Sequence, residues 1–152
     1  MKITDFINAD TIEKMREEIS EANGNEVFFR GVPDEAGVVS EVEVIARGNE
    51  YSVAALLNMM KKNEVIIHNH PSGVLLPSNA DISVSSGYGN SGGASYIVNN
   101  SVDDIYVIVP LKKQAKINID EYFGENGRIH KKIGKFETRK EQYEMSKNIE
   151  KC

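Results

Sequence analysis

The sequence predicts an α/β domain in which a mixed β-sheet is sandwiched by helices. Three observations carry this. Segments with helical spacing of apolar residues alternate with shorter segments of strand character. The apolar run Val65-Ile66-Ile67 is followed by Pro71 and Gly73, which end a strand and open a loop. Two further strand-like runs, Ala94 to Asn99 and Asp104 to Val109, flank Asn100-Ser101-Val102-Asp103 and read as a hairpin.

The first element is a helix. Asp10 with Glu13 three residues on forms a capping pattern, and Ile12, Met15, Ile19 and Ala22 repeat at helical spacing. Asn23-Gly24 is a natural stop. Glu26 to Arg30 reads as a strand, and Val32-Pro33-Asp34 with Gly37 as the turn behind it. Val38 to Arg47 alternates, with Val42, Val44 and Ala46 on one face and Glu41 and Glu43 on a solvent face. Ser52 caps a helix from Val53 to about Lys61 that is apolar almost all round, with Met59 and Met60 as core. After the strand at Val65, residues Asn79 to about Ser86 form a modest helix, and Gly87, Gly89, Gly92 and Gly93 imply an irregular turn or mobile loop.

A chain of 152 residues holds one well-packed domain with some length to spare. At 27% charged and 40% hydrophobic it is neither disordered nor fibrous in type. The net charge of −5 argues against gripping a nucleic-acid backbone unaided. Cys152 is the single cysteine, so no internal disulfide forms and a reducing, cytoplasmic setting is expected. No apolar stretch is long enough to span a membrane, and no basic segment followed by an apolar core opens the chain.

The chemistry concentrates in His68-Asn69-His70-Pro71-Ser72-Gly73 and Pro77-Ser78-Asn79-Ala80-Asp81. On a strand, His68 and His70 project from the same face while Asn69 points away. Asp81 returns after the loop at a helix start. Two imidazoles and a carboxylate are the ligand set of a zinc site that keeps a position for water. Ser78-x-x-Asp81 is at the same time a capping-box pattern, so a structural and a functional role stand side by side for both residues.

This string resembles the JAMM (MPN+) metalloprotease motif: His-x-His-Pro, six residues, Ser, two residues, Asp. It is most similar to the RadC-type variant with His-Asn-His-Pro-Ser-Gly. The resemblance spans roughly residues 10 to 110 and implies the cytidine-deaminase-like JAMM fold, zinc held by His68, His70 and Asp81, and a glutamate from an earlier strand acting on the activated water. The matching position is Glu26; Glu35, Glu41, Glu43 and Glu64 are the other acids available. By the same resemblance Glu26 is the general base and Ser78 a donor to the oxyanion, in hydrolysis of an amide or isopeptide bond in a protein or peptide.

Beyond the hairpin the character changes. Lys131, Lys132, Lys135, Arg139, Lys140, Lys147 and Lys151 outnumber Glu137, Glu141, Glu144 and Glu150, and Arg139 to Lys151 has the look of a solvated helix. Ile119-Asp120-Glu121-Tyr122-Phe123-Gly124, Gly127 and Lys135 to Met145 resemble the opening of DinG-like superfamily-2 DNA helicases, where a glutamine contacts adenine; Gln142 occupies that position. No Gly-x-x-x-x-Gly-Lys-[Ser/Thr] loop occurs in these residues, so ATP is expected only in a helicase part outside them, as is DNA. The resulting division is a metallo-domain over 1–112 and, over 113–152, a linker with the beginning of a helicase. Two functions follow as expectations: a zinc metallohydrolase joined to a helicase in DNA repair, or a non-catalytic module of the same fold that recruits protein or nucleic acid.

Overall fold

The computed structural model describes residues 2–48, 60–112, 119–123, 128–133 and 140–150. The chain forms two compact units, Met1–Lys113 and Gln114–Cys152. In the first, the order is α1 (Ala9–Glu21), β1 (Val27–Pro33), β2 (Val39–Arg47), β3 (Val65–Asn69), α2 (Asn79–Asn90), β4 (Ala94–Val98) and β5 (Ile105–Val109), preceded by a 3₁₀ turn over Ile3–Asp5. The helix expected over Val53 to Lys61 lies largely outside the described residues.

The five strands form one sheet in the order β2-β1-β3-β4-β5. β3 and β4 run parallel and the other neighbours antiparallel, so the sheet is mixed as expected. The parallel pair needs a crossover, and α2 supplies it. Helices cover both faces. On one, Ile12, Met15 and Ile19 of α1 bury against Phe29, Val42, Ile67 and Tyr96. On the other, Tyr88 of α2 packs with Phe28 and Ile66.

Several boundaries differ from the sequence reading, each for a physical reason. The N-cap of α1 is Asn8, not Asp10: the Asn8 side chain accepts the Thr11 N–H at 2.8 Å. Asp10 sits inside the first turn, where a negative charge suits the helix dipole. Asn23 (φ 53°) and Gly24 (φ 73°) take the left-handed conformation that stops the helix. Val42, Val44 and Ala46 do not share a face. The pairing steps from Phe28↔Ala46 to Phe29↔Val44, and this bulge turns Ala46 towards Phe28.

The largest difference is at the glycines. α2 continues through Gly87 and Gly89 to Asn90 instead of breaking near Ser86. A β-carbon on Gly89 would stand 3.0 Å from Val109 Cγ1, so the missing side chain lets the helix lie close on β5. Only Gly92 (φ 92°) among these glycines requires a left-handed backbone.

In the second unit, α3 (Ile119–Phe123), α4 (Arg128–Ile133) and α5 (Lys140–Glu150) are short helices. Arg128 pairs with Glu121 at 2.7 Å and lies over the Tyr122 ring. Gln142 is in α5.

Candidate metal centre

β3 is buried at every position, yet its last residues are polar: His68 and Asn69. β1 pairs with β3 so that Phe28 faces His68 and Phe29 faces Ile67. Directly opposed residues of an antiparallel pair share a face, so Phe28 and His68 project to the α2 side, where their rings stack at 4.9 Å. Continuing the same register sets Glu26, just before β1, across from His70. The pleat therefore collects Glu26, Phe28, His68 and His70 on one side. One ligand atom from each of Glu26, His68 and His70 lies within 4.8 Å of the others.

Asp81 arrives from a different element. Ser78 caps α2, accepting the Asp81 N–H at 3.2 Å, while the Asp81 carboxylate accepts the Ser78 N–H at 2.7 Å. That reciprocal box is the capping pattern visible in the sequence, and it fixes the carboxylate over the strand end. Asp81 Oδ1 stands 3.2 Å from His68 Nε2, and Asp81 Oδ2 stands 3.2 Å from His70 Nε2. The two Nε2 atoms are also 3.2 Å apart. Asp81 thus caps the helix and meets both imidazoles at once.

The hydrogen-bond partners fix where protons sit in this cluster. His70 Nδ1 is 2.7 Å from the carbonyl oxygen of Val74, which only accepts, so Nδ1 carries the hydrogen. In the neutral ring Nε2 is then a bare lone pair, pointed at an oxygen of Asp81. Burial pushes the Asp81 carboxyl up, but hydrogen bonds from His68 and Ser78 outweigh it and hold the group well below the usual carboxylate range. A carboxylate facing the His70 lone pair, with His68 Nε2 able to give up its proton to bind a metal, suits a cation among the three groups. Ligand atoms around a tetrahedral zinc with bonds of about 2.0–2.1 Å lie about 3.3 Å apart, close to the 3.2 Å separations found here. The donor set fits zinc in chemistry and in span. His70 also has the supported outer nitrogen expected of a metal-ligating histidine, whereas Nδ1 of His68 is buried without a partner.

The other acids go elsewhere. Glu64 is buried in a two-pronged pair with Arg30 at 2.5 and 2.9 Å, and Glu43 joins the same guanidinium at 3.2 Å. Glu41 is exposed on β2 and Glu35 in the turn after β1. Of the candidate acids, Glu26 is the one beside the histidines. It lines an open cleft with His70, Ser72, Val74, Leu76 and Ser78, and Val74 and Leu76 are exposed there.

Sequence reasoning undervalued Asn69. It is fully buried and hydrogen-bonded to three residues in two segments, Asn25 and Val27 around the start of β1 and Asn100 in the hairpin turn. Its signal was a polar residue on the core side of an otherwise apolar strand.

Fold and cluster together define a small α/β domain with a histidine-histidine-carboxylate centre at the end of a central strand. The chain belongs to the RadC-like JAB domain family, whose model matches residues 7–109. No curated protein matches it. The match covers β1 to β5 and every residue of the cluster.

Proposed function

We propose that this domain is a zinc-dependent hydrolase of peptide or isopeptide bonds. The observation that carries the proposal is geometric: His68 Nε2 and His70 Nε2 are 3.2 Å apart, each is 3.2 Å from its own oxygen of the Asp81 carboxylate, and Val74 sets the His70 tautomer. His68, His70 and Asp81 are the residues to hold the ion. Bound zinc supplies Lewis acidity and brings the pKa of its water to about 7.

The remaining work falls to the chain's own side chains. The Glu26 carboxylate takes a proton from the attacking water and passes it to the leaving amine. The Ser78 hydroxyl lines the same cleft and is the donor offered to the developing oxyanion, while its oxygen keeps the cap of α2. The cleft is open along its length, which suits a polypeptide segment better than an enclosed metabolite.

Residues from 113 onward are proposed to begin a DinG-like helicase, which would bring ATP, DNA and a role in DNA repair to the parent polypeptide. Support for this is confined to the string around Gln142. Among the described residues no helix is long and apolar enough to cross a membrane; a cytoplasmic, reducing setting is proposed from cysteine usage alone.

Metal analysis of the purified chain with a cleavage assay tests the hydrolase. We expect about one zinc per chain and chelator-sensitive cleavage of a quenched-fluorescent peptide library. Absence of zinc would leave the recruiting module as the reading of this fold. Zinc without any cleavage would make the ion structural.

A further inference from the structure

We infer that Asn69, with Asn100, is the positioning residue that sets Glu26 against the histidines; the inference takes its functional meaning from the hydrolase reading. Glu26 precedes the last regular rung between β1 and β3, and Pro71 has no N–H with which to continue the ladder. Something else must hold the two chain ends in register. The Asn69 carboxamide does so from the opposite face of the sheet. Its Oδ1 accepts the Val27 N–H at 2.8 Å, and its Nδ2 donates to the Asn25 carbonyl at 3.3 Å. These are the residues on either side of Glu26, so one amide clamps the backbone that carries the carboxylate.

The same Nδ2 donates to Asn100 Oδ1 at 2.8 Å, and Asn100 Nδ2 donates to the Pro71 carbonyl at 3.3 Å. Pro71 follows His70. The pair of amides therefore joins the Glu26 segment, the end of β3 and the loop leaving His70 into one frame.

Asn100 itself is presented by a strained turn. Val102, two residues on, is fully buried with φ 47°, a conformation that a β-branched side chain resists and that the surroundings must enforce. Arg16 of α1 donates to the carbonyls of Ser101 and Val102 at 2.5 and 3.4 Å, fastening the turn from outside. Asn69 has no side-chain route to the ion, since it alternates with the two histidines. Its influence on the centre runs through Glu26 and Pro71.

A double-mutant cycle on the full chain separates positioning from general damage. Cleavage of the peptide library at saturating zinc is read in the unmodified chain, in Asn69→Ala, in Glu26→Gln and in the double variant. Asn69→Ala is expected to slow cleavage about tenfold, the low end of what a misplaced base costs, and to add little once Glu26 is Gln. An equal loss in both backgrounds, or none in either, overturns the inference. A metal-independent measurement accompanies it: in zinc-free protein, hydrogen exchange of the Val27 amide is expected to quicken at least about tenfold in Asn69→Ala, because that amide loses its acceptor, while Phe29 is unchanged. If the unmodified chain binds no zinc or cleaves nothing, the hydrolase reading fails, and the Val27 exchange alone decides whether Asn69 clamps the Glu26 segment. Should Asn69→Ala not fold, Asn100→Ala, which leaves the Val27 contact intact, is expected to slow cleavage in the same direction; an unchanged rate there overturns the inference.

Discussion

The Nδ1–H of His70 donates to the carbonyl of Val74 at 2.7 Å, and that single bond decides which nitrogen faces the cluster. Val74 belongs to the loop that begins at Pro71, so the loop does more than connect β3 to α2. It fixes the tautomer of a ligand candidate and bounds the cleft beside it.

The first prediction concerns the ion. Zinc at 100 times its dissociation constant stabilises the folded chain by about 2.7 kcal/mol, which corresponds to roughly 5–10 °C in melting temperature for a chain of this size. Chelation is expected to lower the melting temperature by that amount. In His70→Ala and Asp81→Ala, zinc content is expected to fall to near zero and the chelator to have no further effect. A chelator response that persists in both variants would place the ion elsewhere.

Glu26→Gln separates binding from proton transfer. The glutamine keeps the size and a hydrogen-bonding oxygen but cannot take a proton. Zinc is expected to remain at the stoichiometry of the unmodified chain, with cleavage of the peptide library reduced by about 10²–10⁴, the usual worth of a general base. Undiminished cleavage would assign the base to another group.

A feature is legible in the sequence where its signal is local. The strands at Val65 and Ala94 and the hairpin around Asn100 follow from apolar runs and turn residues, and all appear. His68 and His70 share a face because side chains alternate along a strand, and Ser78 with Asp81 forms the box that its spacing announces. What escaped was set by packing between distant segments. Gly89 reads as a helix breaker, but its lack of a side chain is what admits Val109. Ala46 changes face because of a bulge at Ile45 that nothing in the alternation records. Glu26 came from the family resemblance with other acids as alternatives, and what the sequence could not show is the β1–β3 register that sets it across from His70.

Acid stability gives a third prediction. The Glu64 carboxyl is held below its ordinary value of 4.5, chiefly by the Arg30 hydrogen bonds, against the opposing effect of burial. A carboxyl with a lowered folded-state pKa stabilises the fold above its unfolded value, and that contribution is lost as pH falls through the folded value. The loss is therefore expected on the acid side of pH 4.5. Glu64→Gln is expected to cost about 1–3 kcal/mol near neutrality, with solvent at the partly exposed guanidinium keeping the cost moderate. It is also expected to flatten the acid limb of the stability curve. Urea unfolding at stepped pH reads both effects, and an acid limb of unchanged steepness would contradict the assignment.

The last prediction tests the packing beneath the turn that leads from α2 to β4. Gly93 lies directly under the Tyr88 ring: a β-carbon there would fall 2.0 Å from Cε1, far inside any contact distance. The ring has little room to withdraw. It is buried among Phe28 and Ile66, and its hydroxyl donates to the carbonyls of Lys61 at 2.9 Å and Glu64 at 3.2 Å. Gly93→Ala must therefore displace the tyrosine or the backbone of β4, and overpacking of this kind costs typically about 1–3 kcal/mol. Tyr88→Phe removes only the hydroxyl and leaves both carbonyls without that donor, so a smaller loss of about 1 kcal/mol is expected. Replacing Tyr88 by Ala in the Gly93→Ala background opens the space that the methyl needs. The double variant is then expected to be less destabilised than the sum of its single changes, a coupling that unfolding measurements on the four proteins would resolve. Simple additivity would mean that the methyl is accommodated by movement away from the ring.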